Sequence, residues 1–185
     1  GSAFIGADNR IVKMNLNTFE IEAEVLLQGV RQLAYFDGMI YVTRGDYDPV
    51  TFGSVAFDSY LVWFDAETLA WAGELPYEIG VGYASEGISI KEGVAYIAIN
   101  NGFEFGQEVG VLGVYDLTTG EYSEHDLGED GKNPSHIKVT DEEVLLVNNM
   151  DFSSTSLSRV ELPSLGSVSA SVNTVVVGGV SAGCN

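Results

Sequence analysis

The sequence predicts an all-β protein, a β-propeller of four-stranded antiparallel blades with about four blades present. The first observation is a strand-turn-strand unit that occurs four times, with Asn15, Asp65, Asp116 and Glu161 at its turn. These positions are 50, 51 and 45 residues apart, close to the roughly 40 to 50 residues of a propeller blade. The second is a set of hairpins that alternates with this unit, and the third is a composition that includes 22 glycines, as many short strands and tight turns require.

The turn unit has one composition throughout: a hydrophobic run, then an Asn, Asp or Glu, then a hydroxyl residue three positions later. Its copies cover residues 13–19, 63–69, 114–120 and 159–165. Asn and Asp side chains accept hydrogen bonds from backbone N–H groups in turns. We therefore expect the recurring Asn15, Asp65 and Asp116 to shape turns rather than to form a carboxylate site.

The hairpin unit consists of two alternating strands around a short turn. It covers residues 33–42, 88–97 and 137–146, with Asp37-Gly38 and Glu92-Gly93 at the first two turns and an acidic turn in the third. Asp-Gly between alternating strands is among the strongest short-range hairpin signals. One hairpin unit and one turn unit together supply the four strands of a blade.

The whole chain, residues 1–185, is predicted to be one propeller region. Its blades are expected at 3–27 (without a first strand), 31–76, 87–127 and 136–177, with the start of a next blade at 180–185. Two interpretations fit a chain that begins and ends within a blade. It is a fragment of a larger ring, or its two ends complete one shared blade of a four-bladed ring, since propellers have about 4 to 8 blades.

Tyr41-Val42-Thr43-Arg44, after an Asp-Gly hairpin, and the later segment 114–121 resemble the YVTN-type β-propeller repeat. The stretch 100–134 resembles secreted, cell-surface bacterial members of that family. The resemblance implies an extracellular or cell-surface location and a ring of about seven blades, so that this chain is part of the ring. It implies no chemistry, because the family has no fixed catalytic constellation. Arg44 replaces the usual Asn, and the fourth blade lacks the Asp-Gly turn.

The charge balance restricts the partners. Acidic residues number 27 against 8 basic ones, a net charge of −19. This excludes nucleic acid, whose phosphates need Lys and Arg, and disfavours an anionic membrane surface. No apolar stretch is long enough for a membrane span, so no membrane insertion is expected. The single cysteine, Cys184, cannot form an internal disulfide and does not indicate a redox compartment.

Loop lengths predict a binding face. Hairpin turns and turn units are tight, whereas the other connections are long and varied: 45–59, 77–86, 102–110, 128–135 and 150–155. In a four-stranded blade the second-to-third loops and the connections between blades lie on the same face. Because loops carry function more often than the scaffold does, that face is the candidate binding surface.

These long loops are acidic and aromatic. The candidate ligand-binding residues are Arg31, Asp46, Tyr47, Asp48, Phe103, Glu104, Glu108, Asp151 and Phe152. Aromatic rings beside carboxylates suit a sugar, a basic peptide or a cationic ligand, so a protein or carbohydrate at the cell surface is the predicted partner. The alternative is that the aromatic residues fold inward and pack their own loops.

Calcium is a weaker expectation, and no other cofactor is predicted. The calcium candidates are Asp46 and Asp48 in one loop and Glu129 and Asp130 in another. Neither stretch matches the twelve-residue calcium-binding loop with its terminal bidentate Glu.

Catalytic motifs are absent from the sequence, which contains only two histidines. Arg31, Glu86 and His136 fall within about one place of the same blade position, near the predicted mouth of the central channel. They form either a polar pocket, in which Glu86 and His136 would act as acid and base, or separate packing contacts at blade junctions.

The leading hypothesis for function is a secreted or cell-surface binding scaffold without catalytic activity. One alternative is a hydrolase or lyase with a sugar or lactone site in the central channel. The other is a structural component of a surface or secretion assembly, because an incomplete ring exposes strand edges that can pair with a partner.

Overall fold

The computed structural model describes residues 1–78 and 80–162, together with the backbone of a last strand at 172–177. These residues form fifteen β-strands and two short 3₁₀ turns, Asn101–Phe103 and Glu129–Gly131, and no α-helix. Within them no helix is long and apolar enough to cross a membrane. The expected next blade at 180–185, Cys184 and the end of the fourth turn unit lie outside the described residues.

The strands form four antiparallel sheets in which chain neighbours are sheet neighbours, which confirms the predicted fold class. The first sheet contains β1 (Ser2–Ala7), β2 (Arg10–Asn15) and β3 (Ile21–Leu26). The second contains β4 (Val30–Phe36), β5 (Met39–Arg44), β6 (Leu61–Asp65) and β7 (Trp71–Leu75). The third contains β8 (Ser85–Lys91), β9 (Val94–Ile99), β10 (Val111–Asp116) and β11 (Tyr122–Asp126). The fourth contains β12 (Pro134–Val139), β13 (Glu143–Asn148), β14 (Thr155–Glu161) and β15 (Val172–Val177).

Contacts between sheets identify the innermost strands. Strand β8 packs against both β4 and β12, so these three strands lie side by side around the centre. Strand β1 packs against β4 in the same way that β5 packs against β8 and β9 against β12. Strand β1 is therefore the second strand of its blade, and among the described residues it has a paired strand on one side only.

Each complete blade carries a β-bulge at the start of its innermost strand. The register shifts between residues 30 and 33, between 85 and 88, and between 134 and 136. Bulges bend a strand and re-aim its side chains. The bulge in each blade therefore affects the direction of the side chains near it, at residues 31, 86 and 136.

The core consists of three apolar clusters, each between two neighbouring blades. Their fully buried members include Ile11, Val42 and Phe64 in the first cluster, Leu61, Ile97 and Ile99 in the second, and Leu112, Val144 and Leu146 in the third. Successive side chains of a strand point to opposite faces of the sheet. Within the described residues the second and third blades are covered on both faces, so their strands contain consecutive apolar residues, such as those at 97–99.

The tight turns have the structural role that the sequence predicts. Asp65 Oδ1 accepts hydrogen bonds from the backbone N–H groups of Glu67 and Thr68 at 3.1 and 2.8 Å. Asn15 and Asp116 make the equivalent pairs of bonds. At the hairpin turn Asp37-Gly38 both φ angles are positive, 45° and 78°, as a type I′ turn requires.

Candidate functional site

The long loops of neighbouring blades meet on one edge of the molecule. Loop 45–59 folds back on itself through a bridge between Tyr47 and Ser54. The Ser54 hydroxyl donates to the backbone oxygen of Asn101 at 2.5 Å, and the Ser54 N–H donates to Glu104 Oε2 at 3.3 Å. These bonds join the loop of the second blade to the loop of the third.

The loop of the fourth blade joins the same surface through an aromatic contact. The rings of Phe103 and Phe152 lie 5.8 Å apart between centroids, inclined by 60°. Three successive blades therefore contribute to one continuous surface, here called the loop-rich edge, which comprises loops 45–59, 101–110 and 149–155.

A cleft of about 390 Å³ opens on the loop-rich edge. Its lining includes four of the predicted binding residues, and its residues are Arg31, Gly45, Asp46, Tyr47, Phe52, Gly102, Phe103 and Phe105. The volume lies within the range of small-ligand pockets, roughly 300 to 1,000 Å³, and also suits one or two side chains of a peptide.

Most aromatic rings of this edge point into solvent. The exposed fractions are 54% for Tyr47, 70% for Phe52, 88% for Phe105 and 56% for Phe152. Phe57 packs inward, where the Arg44 guanidinium carbon lies 4.0 Å from its ring centroid. The expectation of inward packing thus describes Phe57 but not the four exposed rings, and exposed apolar groups that lie together usually mark an interaction site.

Three of these phenylalanines have left-handed backbone conformations. The φ angles are 57° at Phe52, 61° at Phe103 and 65° at Phe152. Bulky residues rarely adopt positive φ, and the conformation persists only where surrounding contacts hold it. The contacts of the loops therefore hold the backbone at these three residues.

The carboxylates of the loops supply much of that fixation. Asp48 Oδ1 accepts from the N–H groups of Val50 and Thr51 at 2.7 and 2.9 Å, and these bonds lower the pKa of Asp48. Asp151 accepts from the hydroxyl and backbone N–H groups of Ser153 and Ser154, which lowers its pKa to about 2. Both side chains are therefore ionised at neutral pH.

The remaining acidic candidates also hold the loops in place. Asp46 accepts from the Tyr47 N–H and from Gln28 Nε2, both at 2.9 Å. Glu108 accepts from the Gly106 N–H at 2.8 Å, which lowers the pKa of Glu108. Their negative charges nevertheless lie beside the exposed rings.

The channel-mouth candidates form one ion pair and one separate residue. Arg31 Nε lies 2.7 Å from Glu86 Oε2, so this pair links the innermost strands of the second and third blades. His136 is exposed, and its Nδ1 lies 3.1 Å from the Ser135 hydroxyl. Within the described residues no hydrogen bond joins Glu86 to His136.

The calcium candidates lie in two separate places. Asp46 and Asp48 make the loop contacts given above, while Glu129 pairs with Lys132 Nζ at 2.7 Å and Asp130 is exposed. Among residues 1–78 and 80–162, no group of three or more acidic, His or Cys side chains is placed to hold a metal ion.

Two exposed rings of the cleft, Phe52 and Phe105, are not among the residues that the sequence analysis selected. A signal for Phe52 exists in the sequence. Asp48 and Thr51 have the same spacing as Asp65 and Thr68 in a turn unit, so the residue after Thr51 is expected at a left-handed position. Phe105 carries no comparable signal.

Comparisons with known proteins support the fold. No family model and no curated protein matches the sequence, so the YVTN-type resemblance stays a prediction. Among solved structures, the chain is similar to the N-terminal domain of Nup159, with 11% identity, a TM-score of 0.56, and coverage of 95% of this chain and 41% of that one.

Two further structures are similar. For Kluyveromyces lactis Hsv2 the identity is 7%, the TM-score 0.53, and the coverage 95% of this chain and 46% of that one. For BamB from Moraxella catarrhalis the identity is 12%, the TM-score 0.50, and the coverage 96% and 62%. The chain thus spans less than two thirds of each of these structures. At such low identity the likeness shows the propeller fold alone.

Proposed function

We propose that this chain is a protein-binding propeller module, without catalytic activity, that recognises its partner through the loop-rich edge. The observation that supports the proposal best is the display of Tyr47, Phe52 and Phe105 as exposed rings around a single cleft, with the exposed ring of Phe152 against Phe103 beside it. Rigid aromatic residues supply much contact area at low cost in conformational entropy, as at other binding surfaces.

The charge of the molecule indicates the chemistry of the partner. The edge combines exposed rings with the carboxylates Asp48, Glu104 and Asp151, in a chain with a net charge of −19. A basic segment with apolar side chains complements it, because Lys and Arg pair with carboxylates and stack on aromatic faces. A protein segment is favoured over a sugar, since the surface extends across three blades beyond the cleft.

A secreted or cell-surface location is part of the proposal. It rests on the acidic composition and on the resemblance to secreted repeat proteins. A protein partner is also consistent with a similar propeller structure, that of Nup159 in a complex with S. cerevisiae Dbp5 (12% identity, TM-score 0.55, 91% of this chain and 39% of that one).

The experiment uses labelled peptides and a matched pair of variants. The probes are two peptides of equal length, one of Arg, Lys, Leu and Phe, the other with Glu in place of the basic residues. The test variant replaces Phe52 and Phe105 by Ser. The control replaces Phe19 by Ser, because Phe19 is 71% exposed and also has a positive φ of 60° but lies in a tight turn of the first blade.

The proposal predicts that the basic peptide binds, that the Phe52/Phe105 variant weakens binding at least tenfold, and that the Phe19 variant binds like the wild type. Unchanged binding by both variants would indicate general charge attraction, and equal weakening by both would indicate an effect that is not specific to this edge. Either result would refute the assignment of the surface. Circular dichroism melting curves of the three proteins should coincide within a few degrees, because all three side chains are exposed.

A further inference from the structure

A second cleft lies between the third and fourth blades and is separate from the loop-rich edge. Its volume is about 780 Å³. One wall includes Tyr96, Val114 and His125 from the third blade, and the facing wall includes Val144 and Val160 from the fourth. It lies beside the apolar cluster between these blades, in which Val144 and Val160 are buried.

The corresponding space one blade earlier is filled by aromatic rings. Trp63 of the second blade lies 6.2 Å from Tyr115 of the third blade and 5.7 Å from Tyr41, measured between ring centroids. These rings belong to the cluster that joins the second and third blades. An indole and a phenol ring therefore close this interface.

The strand register shows which residues stand in place of Trp63 and Tyr115 between the third and fourth blades. Val114 pairs with Tyr96 as Trp63 pairs with Tyr41, so Val114 occupies the tryptophan position. Val160 directly precedes the turn residue of its blade, as Tyr115 does, and occupies the tyrosine position. Two large aromatic side chains are thus replaced by two valines, both of which line the cleft.

One wall of the cleft carries a polar atom without a partner. Among the described residues, His125 Nε2 is buried and makes no hydrogen bond. His125 pairs with Leu112 in the register, on the side of β10 and β11 that faces the fourth blade. Buried polar atoms are nearly always hydrogen-bonded, so an unpartnered atom in a residue that lines a cleft indicates a missing partner.

The charges around the cleft restrict the ligand further. Asp116, Glu121 and Glu161 contribute to its lining, whereas the described lining contains no Lys or Arg. Carboxylates at the mouth repel anions and attract cations. The ligand should therefore be neutral or positively charged.

We propose that this interblade cleft binds an indole-type aromatic ring whose N–H meets His125 and whose carrier is neutral or cationic. The ring lies against the two valines, as Trp63 fills the interface before it. The same chemistry is offered by a free amine that carries an indole on an alkyl chain and by a tryptophan side chain of a basic peptide.

Titrations of the whole chain with four probes, followed by calorimetry and by NMR of the His125 ring, test the proposal. Tryptamine is expected to bind, indole-3-acetate at least tenfold more weakly because of its charge, and 1-methyltryptamine more weakly because it lacks the N–H. The peptide Lys-Trp-Lys distinguishes the two sources: tighter binding than tryptamine indicates a tryptophan side chain, and weaker binding a free amine.

Variants separate the cleft from other surfaces. Val114→Trp should restore the packing of the earlier interface, abolish tryptamine binding and raise the thermal midpoint, and Val160→Tyr is an independent second filling. His125→Leu should remove the preference for tryptamine over 1-methyltryptamine while keeping the fold. The proposal is overturned if tryptamine shows no saturable binding at millimolar concentration, or if a folded filling variant still binds it.

Discussion

Phe64 provides a quantitative test of how the blades hold together. Its side chain is 1% exposed in the cluster between the first and second blades, and its ring meets Trp71 edge-on at 5.4 Å between centroids. Replacing a buried Phe by Ala costs about 3–5 kcal/mol, because apolar contacts are lost and a cavity remains. For a chain of this size that loss corresponds to a fall in the melting temperature of roughly 6–20 °C.

The assay is urea and thermal unfolding of Phe64→Ala beside Phe52→Ala, a control of the same residue type. Phe52 is 70% exposed, so its loss should change the free energy of unfolding by no more than about 0.5 kcal/mol. Partner binding should show the opposite order, with Phe52→Ala impaired and Phe64→Ala normal wherever it is folded. A cost below about 1 kcal/mol for Phe64→Ala would refute the assignment of this interface as core.

Three further predictions concern the loops and the inner strands. Gly110→Ala should cost about 1–3 kcal/mol in urea unfolding, because its Cβ would meet the backbone carbonyl of the facing loop, whereas Gly53→Ala, with no neighbour nearer than 3.7 Å, should stay near wild type. The pKa of Asp151 is lowered to about 2. The ionised carboxylate therefore stabilises the folded protein above its ordinary pKa of about 3.9, and this contribution is lost as the pH falls through about 2. Melting temperatures of Asp151→Asn should therefore fall less than those of the wild type between about pH 4 and pH 2; equal falls would contradict this. A double-mutant cycle of Arg31→Gln and Glu86→Gln should give a coupling of about 1 kcal/mol or less, since both side chains are partly exposed, and the coupling should shrink at high salt; a salt-independent value would argue against an ion pair.

The parts of the fold that the sequence predicts are those that local interactions determine. The Asp65–Thr68 turn is closed by backbone and side-chain bonds between residues at most five apart, and the Asp37-Gly38 turn by the pairing of Phe36 with Met39. Their recurrence gives the blade period. Of the long loops that are expected on one face, those of three successive blades are joined by contacts.

The arrangement of the site depends on contacts between blades, which no local pattern encodes. Phe103 and Phe105 lie two residues apart in one acidic loop, yet Phe103 is half-buried against Phe152 and Phe105 is 88% exposed. The Arg31–Glu86 pair likewise joins residues 55 positions apart. The sequence pattern predicts that these residues lie near one another, but it does not encode which side chains pair and which face solvent.

The same type of turn occurs in the scaffold of this propeller and in its proposed binding surface. In Asp65–Leu69 the Asp accepts two backbone N–H bonds, a Thr follows three positions later, and the next residue, Leu69, has a φ of 57°. The turn Asp48–Phe52 has the same two bonds, and the φ of Phe52 is also 57°. In the first case the last side chain enters the core, with Leu69 4% exposed, and in the second it faces solvent. The carboxylate therefore serves the backbone in both turns. Replacing Asp48 would disturb the position of Phe52 as well as remove a negative charge from the loop-rich edge. The rings, not the acids that alternate with them, should carry most of the binding free energy.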